Sequence, residues 1–167
     1  MIPNALLTAQ RTLLVLTPEV FLGQAIHSIA AGAIEDFVTK ARSAKRYGDD
    51  VPFAERELVQ SQLGQILART AASRAYLRHT MSALLEGTEA GTDLEAARVE
   101  FKLACTFASQ SALWAIDQVT EMAGAASIRQ SSPLERRERD ARAAAKHRAM
   151  SPDEYIRGGK LRLGCDL

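Results

Sequence analysis

Three side chains near the C-terminal end have types and a spacing suited to proton chemistry. In SPLERRERDARAAAKH, residues 132–147, an arginine, an aspartate and a histidine stand at positions 136, 140 and 147. At about 100° per residue, Arg136, Asp140, Ala143 and His147 fall within about 60° of each other on one side of a helix. A histidine exchanges protons near neutral pH, and a carboxylate and a guanidinium two to three turns earlier can orient it or meet an anionic ligand. The same residues admit a plainer reading. Arg136 and Asp140 form an i,i+4 pair worth a few tenths of a kcal/mol. A histidine near the end of a helix, as His147 is here, suits the helix dipole.

The helix that carries them divides into three sides. Leu134, Ala141 and Ala145 point to a core, and Glu135, Arg139, Arg142 and Lys146 make a wet stripe. The strip of Arg136, Asp140, Ala143 and His147 belongs to neither, and it is expected to be enclosed, with the alanine leaving room for something to approach. Ser132-Pro133 caps this fourth helix.

The preceding elements must form the other walls. Thr17-Pro18-Glu19 reads as an N-cap followed by proline at the first helical position. Ile26, Ala30, Ala33, Phe37 and Ala41 then recur at steps of three and four, opposite Gln24, Ser28, Glu35, Thr39 and Arg42, which predicts a helix to about residue 46. Residues 5–16 are a leading helix or its extension. Tyr47-Gly48-Asp49-Asp50 breaks the pattern. A second helix is expected from about 53 to 86, ending at Gly87, with Leu58, Leu63, Ile66, Leu67, Ala71, Leu77 and Leu84 as its apolar positions. Thr92 and Glu95 fit a capping box for a third helix that stops at Gly124. Ser151-Pro152-Asp153-Glu154 starts a short terminal turn. Long helices with short connections predict an all-α, up-down four-helix bundle, with residues 1–14 as a lead segment and 15–167 as the bundle.

Composition sets the bounds. The 167 residues suffice for one domain with its own core. A net charge of +1 gives no broad footprint for nucleic acid or an anionic membrane. Cys105 and Cys165 suit neither a disulfide framework nor a zinc site, and a reducing cytoplasm is the expected location. The N-terminal stretch is interrupted by Arg11 and reads as no signal peptide. No metal site is expected. His27 and His79 have no charged partner three or four residues away and read as structural, Cys105 as core and Trp114 as a packing anchor.

Residues 123–147, AGAASIRQSSPLERRERDARAAAKH, resemble the C-terminal signature of the acyl-CoA dehydrogenase superfamily, nearest its flavin-dependent monooxygenase and hydroxylase branch. A Gly-rich turn leads to Pro133, Leu134, Arg136, Arg139 and Asp140, then an Ala-rich stretch and His147. The tail SPDEYIRGGKLRLG resembles that family's closing segment, and LGQAIHSIAAGAIEDFVTKA its first bundle helix. The resemblance implies a C-terminal helical bundle, preceded in full-length members by a helical and a β domain. It implies a flavin, FAD or FMN, held between the β domain and the bundle once a complete pocket is assembled. It implies that His147 handles protons beside the flavin ring, and that Gly124, Ser127, Arg136 and Asp140 approach the cofactor. The chain departs from dehydrogenase-type members where Ala44 precedes Tyr47-Gly48, with Arg42 or Arg46 as the arginines that could substitute. No glutamate stands in the dehydrogenase catalytic context, so abstraction of an α-proton from an acyl thioester is not expected.

Two functions follow from that resemblance. The chain is the bundle part of a flavin-dependent oxidoreductase, lacking the other domains and needing a separate flavin or β-domain subunit or further copies of itself. Alternatively it is a non-catalytic oligomerisation or partner-binding bundle derived from that family. Neither needs nucleic acid or a membrane, and both predict a dimer or tetramer or a partner subunit.

Overall fold

The computed structural model describes residues 4–44, 51–127, 129 and 131–166, with side chains from residue 22 onward except that of 126. Among these residues there is no strand. Five helices form: α1 Asn4–Ser43, α2 Glu57–Ala90, α3 Glu95–Ala123, α4 Pro133–Ala145 and α5 Asp153–Leu163. Single 3-10 turns precede α2 and follow α3 and α4. The break expected at Tyr47-Gly48-Asp49-Asp50, and Arg46, lie outside the described residues.

Side-chain contacts fix the directions. Near one end of the α1–α2 pair Gly23 lies against Leu77, and at the other the Phe37 and Phe53 rings meet edge to face at 6.1 Å, so α1 and α2 are antiparallel. The Arg69–Ser111 and Tyr76–Glu100 bonds do the same for α2 and α3. Glu138 shares a groove with Glu121 while Arg142, one turn on, reaches Asp117, so α4 runs back along α3. The up-down bundle is as expected, with α5 as an added helix where a short turn was predicted. Gly158 of α5 sits on Leu103, and Tyr155 donates to Gln110 of α3.

α3 is the axis of the bundle. It buries Val99, Phe101, Ala104, Cys105, Ala108, Ala112, Ala115, Ile116 and Val119 at 1% exposure or less. Its neighbours each offer one stripe. On α1 the buried stripe is Ile26, Ala30, Ala33, Phe37 and Ala41, as the spacing predicts. On α2, Ile66, Leu77 and Leu84 are buried and Leu63 packs on the core, whereas Leu58, Leu67 and Ala71 are exposed. Apolar residues on α2 outnumber what one stripe can bury, and helical phase decides which of them go in. Cys105 is buried. Trp114 packs at the edge of the core with the Arg69 guanidinium 4.6 Å over its ring.

The helix ends differ from expectation in physical detail. α1 passes through Thr17 and Pro18 without a new start. Proline removes one backbone donor from a helix and does not compel a terminus. α2 continues past Gly87 to Ala90 and stops at Gly91, which takes the left-handed cap with φ 67°. The Thr92–Glu95 capping box does not form. Thr92 Oγ1 donates to the Gly87 carbonyl, and Asp93 accepts from the Glu95 N–H instead. α4 closes at Ala145, two residues before His147.

Candidate functional site

α4 starts where the sequence predicts, with Ser132 at the N-cap position and Pro133 at the first helical position, but the Ser132 hydroxyl makes no capping bond. Leu134 and Ala141 enter the core and Ala145 packs on its edge. Arg139 and Arg142 are exposed. The third strip is not enclosed in this chain. Arg136 and Asp140 pair at 3.7 Å with side chains 78% and 50% exposed, and Ala143 and His147 are exposed beside them. The reason is which residue turns inward. Arg137, next to Arg136 and not singled out by the spacing, reaches across to α1 and bonds Asp36 at 2.5 Å, with both side chains about two-thirds buried. Its guanidinium lies over Gly32, where any side chain would collide with it. The docking of α4 on α1 uses Arg137, which leaves the strip one step around the helix facing outward.

The five residues singled out from the sequence occupy three places. Arg136 and Asp140 line a groove of about 460 Å³ with Ile29, Ser132, Pro133 and Arg137. Ser132 is 7% exposed, and its buried Oγ has no hydrogen-bond partner. Gly124 and Ser127 line a separate, shallower groove of about 330 Å³ between the end of α3 and α4. Gly124 has φ 65° and ψ −155°, backbone that a side chain disfavours. That turn lets Ser127 fold back and donate to the carbonyls of Gly124 and Thr120. Asp117 sits in the same groove, bonded to Arg142 at 2.7 Å. Burial raises its carboxyl above the usual range, against the opposing pull of Arg142 and with help from Glu138.

His147 lies in the turn after α4. Its Nδ1 accepts from the Ala149 N–H at 3.2 Å, which caps the 3-10 turn at 148–150. A nitrogen that accepts carries no proton, so the neutral ring holds its proton on Nε2, on a side chain open to solvent. Helical phase places His147 on the strip in the sequence, but α4 ends two residues earlier, so the resemblance of residues 123–147 is the signal that still marks it.

Elsewhere, His79 is exposed, and His27 is half-buried with Nε2 unpartnered. Burial, then the nearby Arg74, holds the His27 imidazole below its ordinary value. Among the described residues no three His, Cys, Asp or Glu gather to hold a metal, and no helix is long and apolar enough to cross a membrane.

No curated protein matches the sequence. Among solved structures, the fold is similar to XiaF from Streptomyces sp., solved in complex with FADH2 and glycerol, with a TM-score of 0.82 at 21% identity. It is similar to the 3-HSA hydroxylase from Rhodococcus sp. RHA1, with a TM-score of 0.77 at 21% identity, and to butyryl-CoA dehydrogenase from Megasphaera elsdenii, with 0.70 at 16%. The matches cover 89%, 89% and 87% of this chain but only 38%, 39% and 36% of those proteins. The chain therefore spans well under half the length of each. A family profile for the acyl-CoA dehydrogenase C-terminal domain matches residues 21–152. With that match laid over the bundle from α1 to the turn after α4, the chain belongs to the acyl-CoA dehydrogenase family, as its C-terminal domain.

Proposed function

We propose that this bundle is one wall of a flavin-dependent oxidoreductase and acts when a second chain supplies the other wall. The observation that carries this is the exposure of Arg136, Asp140, Ala143 and His147 together, beside a groove whose buried Ser132 Oγ has no partner. A buried hydroxyl without a partner costs free energy, and an incoming acceptor removes that cost. The donor set fits the anionic part of a flavin nucleotide. Arg136 has its guanidinium largely free in solvent, and Ser132 has a hydroxyl to donate. The Gly124–Ser127 turn offers a second edge where backbone can approach closely.

A bound flavin supplies two-electron redox chemistry. The chain's own part is to hold and move a proton. His147 keeps Nδ1 occupied by the Ala149 N–H, which fixes the ring and leaves Nε2–H as the donor. Asp140 pairs loosely with Arg136 and sets the charge along the strip that leads to it. Cover by another chain would exclude water and strengthen each of these interactions. The hydroxylase branch suits the donor at His147 better than dehydrogenation does. The free thiols of Cys105 and Cys165 suit the cytoplasm.

A feature of α2 supports assembly of several copies. From Ser61 to Ala75 its outer stripe of Ser61, Gly64, Ala68, Ala72 and Ala75 is exposed and uncharged. Such a stripe lets a second helix approach closely. It equally supports the second reading, a bundle kept for oligomerisation without catalysis. The two separate in the flavin-loaded assembly isolated from the native cells. On the first reading, His147→Ala leaves flavin content unchanged and slows flavin reoxidation by about 10²-fold or more. An unchanged rate leaves only the oligomerisation reading.

A further inference from the structure

On the flank of α1 away from α4, a groove of about 610 Å³ opens between α1 and α2. α1 touches α2 near Gly23 and Leu77 and meets the 3-10 turn before α2 at Phe37 and Phe53, and between these points the small side chains of Ala31 and Ala71 leave the helices apart. The volume lies in the range of small-molecule sites. The antiparallel course gives the groove two unlike ends. One end has His27 and Arg74, and the other has Glu35 near Leu67.

At the His27 end the polar groups are short of partners. His27 Nε2 is buried without a hydrogen bond, and Arg74 makes no ion pair with any described residue. The hydroxyls of Ser28 and Thr70, also in the groove, are already donated to carbonyls of their own helices. The floor between the ends is Ala31, Ile34, Leu67 and Ala71, with Leu67 half exposed. An anion is attracted by Arg74 and repelled by Glu35, which fixes its direction in the groove. From His27 to Glu35 the helix rises about 12 Å, the length of an acid with a compact hydrocarbon body.

We propose that this groove binds a small amphipathic carboxylate. Its charged end is held by Arg74 and His27 Nε2–H, and its apolar body lies over Ala31, Ile34, Leu67 and Ala71. Burial and Arg74 together keep the imidazole neutral near pH 7, so it meets the carboxylate as a neutral donor. The site is independent of the flavin reading, because it shares no residue with the grooves at α4.

The test is a titration of isotope-labelled chain with 4-phenylbutanoate, followed by NMR, beside acetate and 4-phenylbutan-1-ol. Saturable shifts confined to His27, Ala31, Ala71 and their neighbours are expected with the acid, and weaker ones with either control. Arg74→Gln should weaken the acid about tenfold or more, and Ala31→Leu should fill the groove and abolish binding, each with the native spectrum otherwise kept. The proposal is overturned by shifts scattered over the surface, by an alcohol that binds as well as the acid, or by an Arg74→Gln variant that binds normally. It is also overturned if a second copy of the chain closes the groove, seen as concentration-dependent shifts of these residues without ligand.

Discussion

Gly32→Ala should have opposite effects depending on whether Arg137 is present. A glycine inside a helix costs about 0.5–1 kcal/mol relative to alanine, so by itself the substitution stabilises α1 by that amount. In the native chain the new methyl collides with the Arg137 guanidinium and displaces it from Asp36. A charge-assisted bond contributes about 1.5–3 kcal/mol net, which partial exposure of both side chains reduces to about 1–2 kcal/mol. The expected net effect of Gly32→Ala is therefore from about zero to about 1.5 kcal/mol of destabilisation. In an Arg137→Ala background the pair is already gone, and Gly32→Ala should stabilise by about 0.5–1 kcal/mol. Urea denaturation of the four chains gives the coupling energy, about 1–2 kcal/mol, or about 0.5–1 M in midpoint at a typical slope of about 2 kcal/mol/M. Equal stabilisation by Gly32→Ala in both backgrounds would refute the placement of Arg137 over α1.

Three further outcomes follow from the same geometry. Arg142→Ala should lower the unfolding free energy in urea more than Asp140→Ala, by about 0.5 kcal/mol, because Arg142 ties Glu138 and Asp117 whereas Asp140 holds one exposed pair; a larger loss at Asp140 contradicts this. Ser132→Ala should change stability by less than about 0.5 kcal/mol, against about 1 kcal/mol for an ordinary N-cap serine, since this hydroxyl caps nothing; denaturation of the ligand-free chain decides it. The lowered His27 value means the unfolded chain takes up a proton at a higher pH than the folded one. Stability from this group is complete above its ordinary value of 6.5 and is lost as pH falls below it towards the folded value. The facing charges are Arg74 and Glu35. A His27→Gln chain should lose less stability than the native chain between about pH 7.5 and 5, and parallel curves would contradict the burial of this ring.

Much of the bundle is legible because burial follows helical phase. Ile26, Ala30, Ala33, Phe37 and Ala41 could be placed in the core by spacing alone, as could Leu134 and Ala141. Helix ends were less legible where two signals compete. Gly87 and Gly91 both offer a stop, and only the second adopts the left-handed cap. Thr92 could cap with its hydroxyl, but that hydroxyl donates to the Gly87 carbonyl. The candidate site was half legible. Phase separates the Arg136 strip from the core, yet it cannot show that Arg137 is the arginine that reaches α1, because that depends on Gly32 and Asp36, about a hundred residues earlier in the chain. Phase also draws His147 onto that strip, but the residue stands beyond the end of α4, so that phase argument fails and the motif is what still marks it. The groove at His27 was invisible, since its histidine has no charged neighbour on its own helix and Arg74 comes from the facing one.

On the proposed reading, the His147 side of α4 is a wall completed by another chain around a flavin. The most direct measurement isolates the chain from its native cells under mild conditions and reads flavin absorbance and molecular mass on the same peak. Flavin in stoichiometric amount on an assembly heavier than one chain is the predicted result. Flavin travelling with the single chain, or an assembly that carries none, contradicts it.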